Sequence, residues 1–137
     1  MKSTAVLSIT ISFLVLAACS SMANTHTIRT IKQTDSCTHL TLKLGEQVAF
    51  ELPSNPTTGY SWQITQLPAD ILAPLDTGKY TANQAQAEQK RVGSGGKTTW
   101  RYQAIKQGQD TLKMTYLRPW EKDASPAEHF ECAITVQ

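Results

Sequence analysis

The sequence predicts an all-β fold, an antiparallel sandwich of two sheets. Apolar and polar residues alternate in six short segments, 40–44, 48–52, 60–64, 100–104, 112–116 and 130–136. Successive side chains of a strand point to opposite faces, so this pattern gives each strand one apolar face for a shared core. Glycine and proline between the segments supply turns. Six or seven strands of this length are typical of a sandwich.

The elements follow in order along the chain. The residues predicted to face the core are Leu40, Leu42, Leu44, Val48, Phe50, Leu52, Tyr60, Trp62, Ile64, Trp100, Tyr102, Ala104, Leu112, Met114, Tyr116, Phe130, Cys132, Ile134 and Val136. Residues 27–32 add an edge strand. Residues 68–72 form one helical turn that covers the core with Ile71 and Leu72. The polar segment 80–92 is a connection or a weak strand, although part of it has helix-forming residues.

Composition limits the function classes. The chain has 137 residues, 40% of them hydrophobic and 18% charged, and a formal net charge of +2. This length fits one ordinary domain, and we expect a monomer. Because the charge is small and no basic run occurs, a nucleic-acid groove is excluded. His26, His39 and His129 have no nucleophile motif beside them, so we expect no enzymatic activity.

The first 18 residues have the pattern of an export signal. Lys2 precedes an apolar run that is shorter than the roughly 20 residues of a membrane span. The end of the run, Leu16-Ala17-Ala18-Cys19, resembles the lipobox of bacterial lipoproteins. That resemblance implies that Cys19 is acylated and becomes the new N-terminus. The alternative is an ordinary signal peptide cleaved near Ala23.

The lipobox sets the expected organisation and location. It divides the chain into a signal peptide (1–18), a lipid-anchored tether (19–26) and one domain (27–137). Multiple acyl chains give stable membrane attachment. By resemblance, Ser20 replaces the Asp that is associated with retention in the inner membrane. We therefore expect an outer-membrane anchor that faces the periplasm.

Two further cysteines, Cys37 and Cys132, form an even pair in an oxidising compartment. A disulfide between them would close a long loop and stabilise the fold by about 3–5 kcal/mol. A zinc site with His39 and His129 is the alternative. It is disfavoured because His129 and Cys132 point to opposite faces of one strand. Two free thiols are the third alternative, and we expect no metal or other cofactor.

Three loops contain residues that the alternating pattern of the strands does not account for. The first loop, 55–60, is Asn-Pro-Thr-Thr-Gly-Tyr, in which the proline and two β-branched residues make a stiff tip. The second loop, 93–97, is Gly-Ser-Gly-Gly-Lys, which exposes backbone but lacks the spacing of a phosphate loop. The third loop, 118–121, places Trp120 beside Arg118, a pairing typical of interaction hot spots. By composition alone, the first two are also ordinary turns, and Trp120 is also suited to covering the edge of the core.

Together the three loops resemble the ordered motifs of the chagasin-type inhibitors of cysteine peptidases. The matching segments are Asn55 to Trp62, Gly93 to Gly96 and Arg118 to Trp120, and the resemblance extends over residues 40–136. It implies an immunoglobulin-like β-sandwich whose three loops occupy the active-site cleft of a papain-like peptidase reversibly. The residues that it assigns to this contact are Asn55, Pro56, Thr57, Thr58, Gly59, Gly93, Ser94, Gly95, Gly96, Arg118, Pro119 and Trp120.

The resemblance also implies where each loop lies. The tip at Thr57, Thr58 and Gly59 covers the catalytic Cys–His centre, and Trp120 stacks on an aromatic side chain of the target. We expect Tyr60 and Trp62 to lie in the core, where they support the first loop. The competing function is a lipid-anchored immunoglobulin-like module that binds or supports another molecule without inhibiting it.

Overall fold

The computed structural model describes residues 27–35, 37–83, 93 and 95–137. Nine strands form there, and their bounds are β1 Arg29–Lys32, β2 Leu40–Leu42, β3 Gln47–Ser54, β4 Ser61–Gln66, β5 Leu72–Pro74, β6 Lys79–Ala82, β7 Gly96–Ala104, β8 Gly108–Leu117 and β9 Glu128–Val136. The edge strand predicted for residues 27–32 is β1. Within the segment 80–92, residues 80–82 belong to β6, and 84–92 lie outside the described residues.

The strands form the predicted sandwich of two sheets. One sheet has the order β1-β3-β7, with β5 and β6 both paired to the other side of β7. The second sheet has the order β2-β9-β8-β4. Two pairings, β1 with β3 and β2 with β9, are parallel, so the expectation of fully antiparallel sheets is wrong for them. The alternation of residues indicates which face of a strand is buried, but it does not indicate whether the neighbouring strand runs parallel or antiparallel to it.

The core lies between the sheets and consists mostly of the alternating residues. Phe50, Leu52 and Leu112 are fully buried, and Trp62 is buried as predicted. Leu44 is instead 57% exposed, because it follows the end of β2 and lies in a turn. Ile64 is 40% exposed on the edge strand β4, next to a shift in register. The two-residue alternation therefore predicts burial incorrectly where a strand ends or loses its regular pairing.

Residues 68–72 make the predicted helical turn. The amides of Ile71 and Leu72 both donate to the carbonyl of Pro68, at 3.1 and 2.9 Å. Both side chains are buried in the core. Residues 1–26, including the expected signal peptide and Cys19, lie outside the described residues. Among the described residues, no helix has the length and apolar character needed to cross a membrane.

Cys37 and Cys132 form a disulfide, with Cα atoms 4.8 Å apart and 95 positions apart in the chain. The bond joins the segment between β1 and β2 to the middle of β9, where Cys132 is fully buried. Sulfur atoms in this bond are not available as zinc ligands. In the described part of the chain, no three His, Cys, Asp or Glu side chains are grouped closely enough to hold a metal ion.

Candidate functional site

The sheet register brings the three loops to one end of the sandwich. At the end of β3, Ser54 pairs with Gly96 at the start of β7, so the first and second loops are neighbours. Ser61 at the start of β4 pairs with Leu117 at the end of β8, so the third loop lies beside the first. We call this end, formed by residues 55–60, 93, 95 and 118–121, the loop pole. Ser94 lies outside the described residues.

The first loop is a single 3₁₀ turn at Pro56–Thr58. Proline starts it, because its fixed φ fits the first helical position. The amides of Thr58 and Gly59 donate to the carbonyls of Asn55 and Pro56, at 3.1 and 3.0 Å. Gly59 ends the turn with φ +80°, in the left-handed region that glycine adopts without a steric cost. A narrow, exposed tip results, with Pro56, Thr57 and Thr58 all facing solvent.

Both threonine hydroxyls at this tip donate hydrogen bonds within the loop. Thr57 Oγ1 donates to Asn55 Oδ1 at 2.7 Å, and Thr58 Oγ1 donates to the Asn55 carbonyl at 2.6 Å. A hydroxyl has one proton and two lone pairs. The tip therefore offers its hydroxyl oxygens to a partner as acceptors, because the protons are already used.

Asn55 also joins the first loop to the second. Its Nδ2 donates to the carbonyl of Gly93 at 2.9 Å, and its amide donates to the Tyr116 hydroxyl at 2.8 Å. Gly95 lies beside this contact with φ +71°, and a β-carbon there would be 3.6 Å from Asn55 Cβ. Asn55 therefore organises the first loop internally, through its backbone and its side chain, and its side-chain amide fixes the distance from the second loop.

The second loop is shorter than the sequence suggested. Gly96 and Lys97 belong to β7, and Gly96 is paired with Ser54 on one side and Ala82 on the other. A β-carbon at Gly96 would collide with the Thr81 carbonyl oxygen. The expectation that Gly96 exposes free backbone is wrong, because its backbone is already paired in the sheet. Its lack of a side chain serves close packing of β6 on β7.

Arg118 joins the third loop to the first. Its Nε donates to the Thr58 carbonyl at 3.1 Å, and its guanidinium carbon lies 4.5 Å from the centre of the Tyr60 ring. Nη1 is 3.0 Å from a carboxylate oxygen of Glu121. The hydrogen bond that Arg118 donates to the Glu121 carboxylate raises the pKa of the Arg118 guanidinium. Arg118 therefore positions the first loop, in addition to any contact with a partner.

Trp120 is 64% exposed and lies outside the core. One edge of its indole packs on the backbone of Gly59, where a β-carbon would be 2.7 Å from Cζ2 and closer still to Cη2. The rest of the ring faces solvent beside the exposed Pro119. The alternative in which Trp120 covers the edge of the core is therefore wrong. Its indole instead extends the surface of the first loop.

Tyr60 and Tyr116 connect the loop pole to the core. Their rings stack with centres 5.3 Å apart, and Tyr116 also lies 5.1 Å from the buried ring of Trp62. Tyr60 is half-buried, so its predicted place in the core is wrong; it lies between Arg118 and Tyr116. Sequence reasoning missed the role of Tyr116. A tyrosine at the end of a strand, just before a functional loop, was the available signal.

Sequence comparison with known proteins identifies a family and two relatives. The family described as Chagasin family peptidase inhibitor I42 matches residues 41–134. Chagasin from Trypanosoma cruzi is 28% identical over 95 residues, which cover 66% of this chain and 82% of chagasin. Amoebiasin-2 from Entamoeba histolytica is 28% identical over 128 residues, covering 91% of this chain and 96% of that protein.

A solved structure shows the same fold. The crystal structure of the cysteine protease inhibitor EhICP2 from Entamoeba histolytica superposes with a TM-score of 0.68, over 80% of this chain and 96% of that one, at 24% identity. The predicted all-β, immunoglobulin-like sandwich is therefore confirmed. Because the family match spans more than half of the chain, the protein belongs to the chagasin family of peptidase inhibitors.

Proposed function

We propose that this protein inhibits papain-like cysteine peptidases reversibly, by inserting its loop pole into their active-site cleft. One observation carries the proposal: Asn55 and Arg118 hydrogen-bond the three loops to one another before any partner is present. A surface that is already ordered loses little conformational entropy on binding, which favours affinity. Membership of a family of peptidase inhibitors gives independent support.

The tip of the first loop is the part that blocks the active site of the peptidase. A papain-like peptidase attacks a substrate carbonyl with an activated thiolate. Here the Thr58 carbonyl already accepts the hydrogen bond from Arg118, within a closed 3₁₀ turn. It is therefore held in a conformation unlike that of an extended substrate. The tip covers the thiolate without presenting a bond suited to cleavage, and this role needs neither a cofactor nor a catalytic group of the inhibitor.

The flanking loops extend the contact. The solvent-facing part of the Trp120 ring is suited to stacking on an aromatic side chain of the peptidase. The exposed Gly93 brings the second loop along the other side of the cleft with little side-chain bulk, whereas Gly95 is buried beside Asn55. Tryptophan and arginine are the residue types that contribute most often to the centre of such interfaces.

A titration of papain tests the proposal. Residues 20–137 are added in increasing amounts to enzyme whose active sites have been counted. Stoichiometric loss of activity that recovers on dilution is the expected result. A folded domain that inhibits neither papain nor several of its relatives would contradict it, and would favour the alternative of a binding or structural module without inhibitory activity.

The proposal includes a lipid anchor at Cys19, with the domain attached through residues 19–26 to the outer membrane and facing the periplasm. The sequence Leu16-Ala17-Ala18-Cys19 and the following Ser20 support it. Mass spectrometry of the purified membrane-fraction protein should find acyl chains on Cys19. The Cys19→Ala variant should lose them and leave the membrane fraction. A wild-type protein without acyl chains would contradict the anchor while leaving the inhibitor proposal intact.

A further inference from the structure

The described chain begins at the end of the sandwich opposite the loop pole. β1 runs parallel to β3, with Arg29 level with Val48 at the start of β3. Asn55 follows Val48 by seven positions of extended chain, which corresponds to about 23 Å. Any tether that precedes residue 27 therefore attaches at the far end from the inhibitory loops.

Two turns at this end carry exposed apolar side chains. The turns 43–46 and 104–107 are joined by hydrogen bonds from the Gly45 amide to the Ala104 carbonyl, at 2.8 Å, and from the Ala104 amide to the Glu46 carbonyl, at 2.9 Å. Leu44 and Ile105, one in each turn, are both about half exposed, and Ile105 is 49% exposed. We call this surface, residues 28–29, 43–46 and 104–107, the anchor pole.

The charges around these side chains suit an interface with a lipid bilayer. Lys43 and Lys106 are exposed beside Leu44 and Ile105, and long lysine side chains can keep their charge in water above a buried apolar stem. Arg29 is paired with Glu46 at 3.3 Å. Asp70 is also exposed near this pole, because the carbonyl of the next residue, Ile71, accepts a hydrogen bond from the Ile105 amide at 2.9 Å. The Asp70 carboxylate balances part of the remaining positive charge. An apolar contact should therefore dominate, with little dependence on salt.

We propose that the anchor pole rests on the membrane that carries the lipid at Cys19, with Leu44 and Ile105 entering the interface and the loop pole directed away from it. The inference rests on the proposed anchoring at Cys19. Residues 19–26 can span at most about 28 Å. A tether of this length holds the anchor pole at an effective concentration on the order of millimolar, so a weak contact suffices to orient the domain. The inhibitory loops then face the aqueous compartment.

Hydroxyl-radical footprinting of the lipid-linked protein tests this orientation. With Cys37 and Cys132 bridged, the Cys19 thiol of residues 19–137 can be coupled to a maleimide lipid in vesicles of saturated phosphatidylcholine. We expect oxidation of Leu44 and Ile105 to fall about threefold or more relative to the uncoupled protein, because a tethered contact is occupied most of the time. Oxidation of Trp120 should not change.

Matched variants separate docking from simple proximity to the vesicle. In the wild type, Ile28, at the same pole, should also be protected. The double variant Leu44→Asp, Ile105→Asp should restore oxidation of Ile28. The double variant Ile64→Asp, Tyr80→Asp changes two exposed residues away from the anchor pole, where Ile64 pairs with Met114 and Tyr80 pairs with Thr98, and it should keep the protection. Thermal unfolding of both variants checks that the fold is retained.

Three results would overturn the inference: equal oxidation on vesicles and in solution, protection of Trp120 in place of Leu44, or a protein from cells that carries no lipid on Cys19. Failure of the inhibitor proposal is measured separately, because the same vesicles can be titrated against papain. A docked protein that does not inhibit would leave the orientation standing.

Discussion

The indole of Trp120 lies directly against the α-carbon of Gly59, so that these two residues from different loops form one continuous surface. The contact exists because Gly59 has no side chain: at φ +80°, a β-carbon would occupy the space that the indole ring fills. Trp120 thus leaves one face of its ring open to solvent, where a partner could stack, and shapes the first loop through its packed edge.

Gly59→Ala should weaken inhibition by about tenfold or more, since the β-carbon would displace Trp120. The left-handed φ should also lower the free energy of unfolding by about 1–2 kcal/mol. Gly45→Ala is the control, because Gly45 has φ +84° and nothing within 4 Å of an added β-carbon. It should lose similar stability and keep its inhibition constant. Equal inhibition constants for the two variants would contradict the role of the Gly59–Trp120 contact.

Arg118→Lys should raise the inhibition constant by about tenfold, equivalent to about 1.4 kcal/mol. Lysine keeps the charge but cannot both donate to the Thr58 carbonyl and stack flat on Tyr60. Arg101→Lys provides the comparison. It weakens a similar contact, from Nε to Asp76 at 2.7 Å, on the sheet surface away from the loops. A papain titration in which both variants match the wild type would remove Arg118 from the mechanism.

Trp120→Ala should increase the rate of dissociation from papain by about 30-fold, because truncating an interface tryptophan typically costs about 2 kcal/mol and acts mainly on dissociation. The free energy of unfolding should change by less than about 0.5 kcal/mol, as for other exposed residues. Surface plasmon resonance and urea unfolding give the two quantities. Lost stability with unchanged dissociation would assign Trp120 to the fold.

Replacing Cys37 and Cys132 together by alanine should lower the free energy of unfolding by about 3–5 kcal/mol, because their bond closes a long loop in the unfolded chain. Inhibition at 25 °C should persist, since Cys132 lies in the middle of β9. Urea unfolding with and without a reductant measures the effect. The reductant should destabilise the wild type and leave the double variant unchanged; insensitivity of the wild type would argue against the disulfide.

Most of the sandwich was predictable because burial imposes a local signal. Leu52 and Leu112 lie on the buried side of strands that alternate regularly, so period two placed them correctly. Leu44 and Ile64 failed the same rule, because the strand ends before one and the pairing shifts beside the other. The alternation of apolar and polar residues does not show where a strand ends or whether its pairing with the neighbouring strand is regular.

The sequence by itself determined the β class, the buried faces and the three loop motifs, because side-chain period, proline and glycine act over a few residues. Only the tertiary structure decided the parallel pairing of β1 with β3, which places the N-terminal side of the domain opposite the loops. It also decided that Asn55 reaches Gly93 and that Arg118 reaches Thr58. These contacts join residues 38 and 60 positions apart, and only the register of the sheets brings such distant positions together.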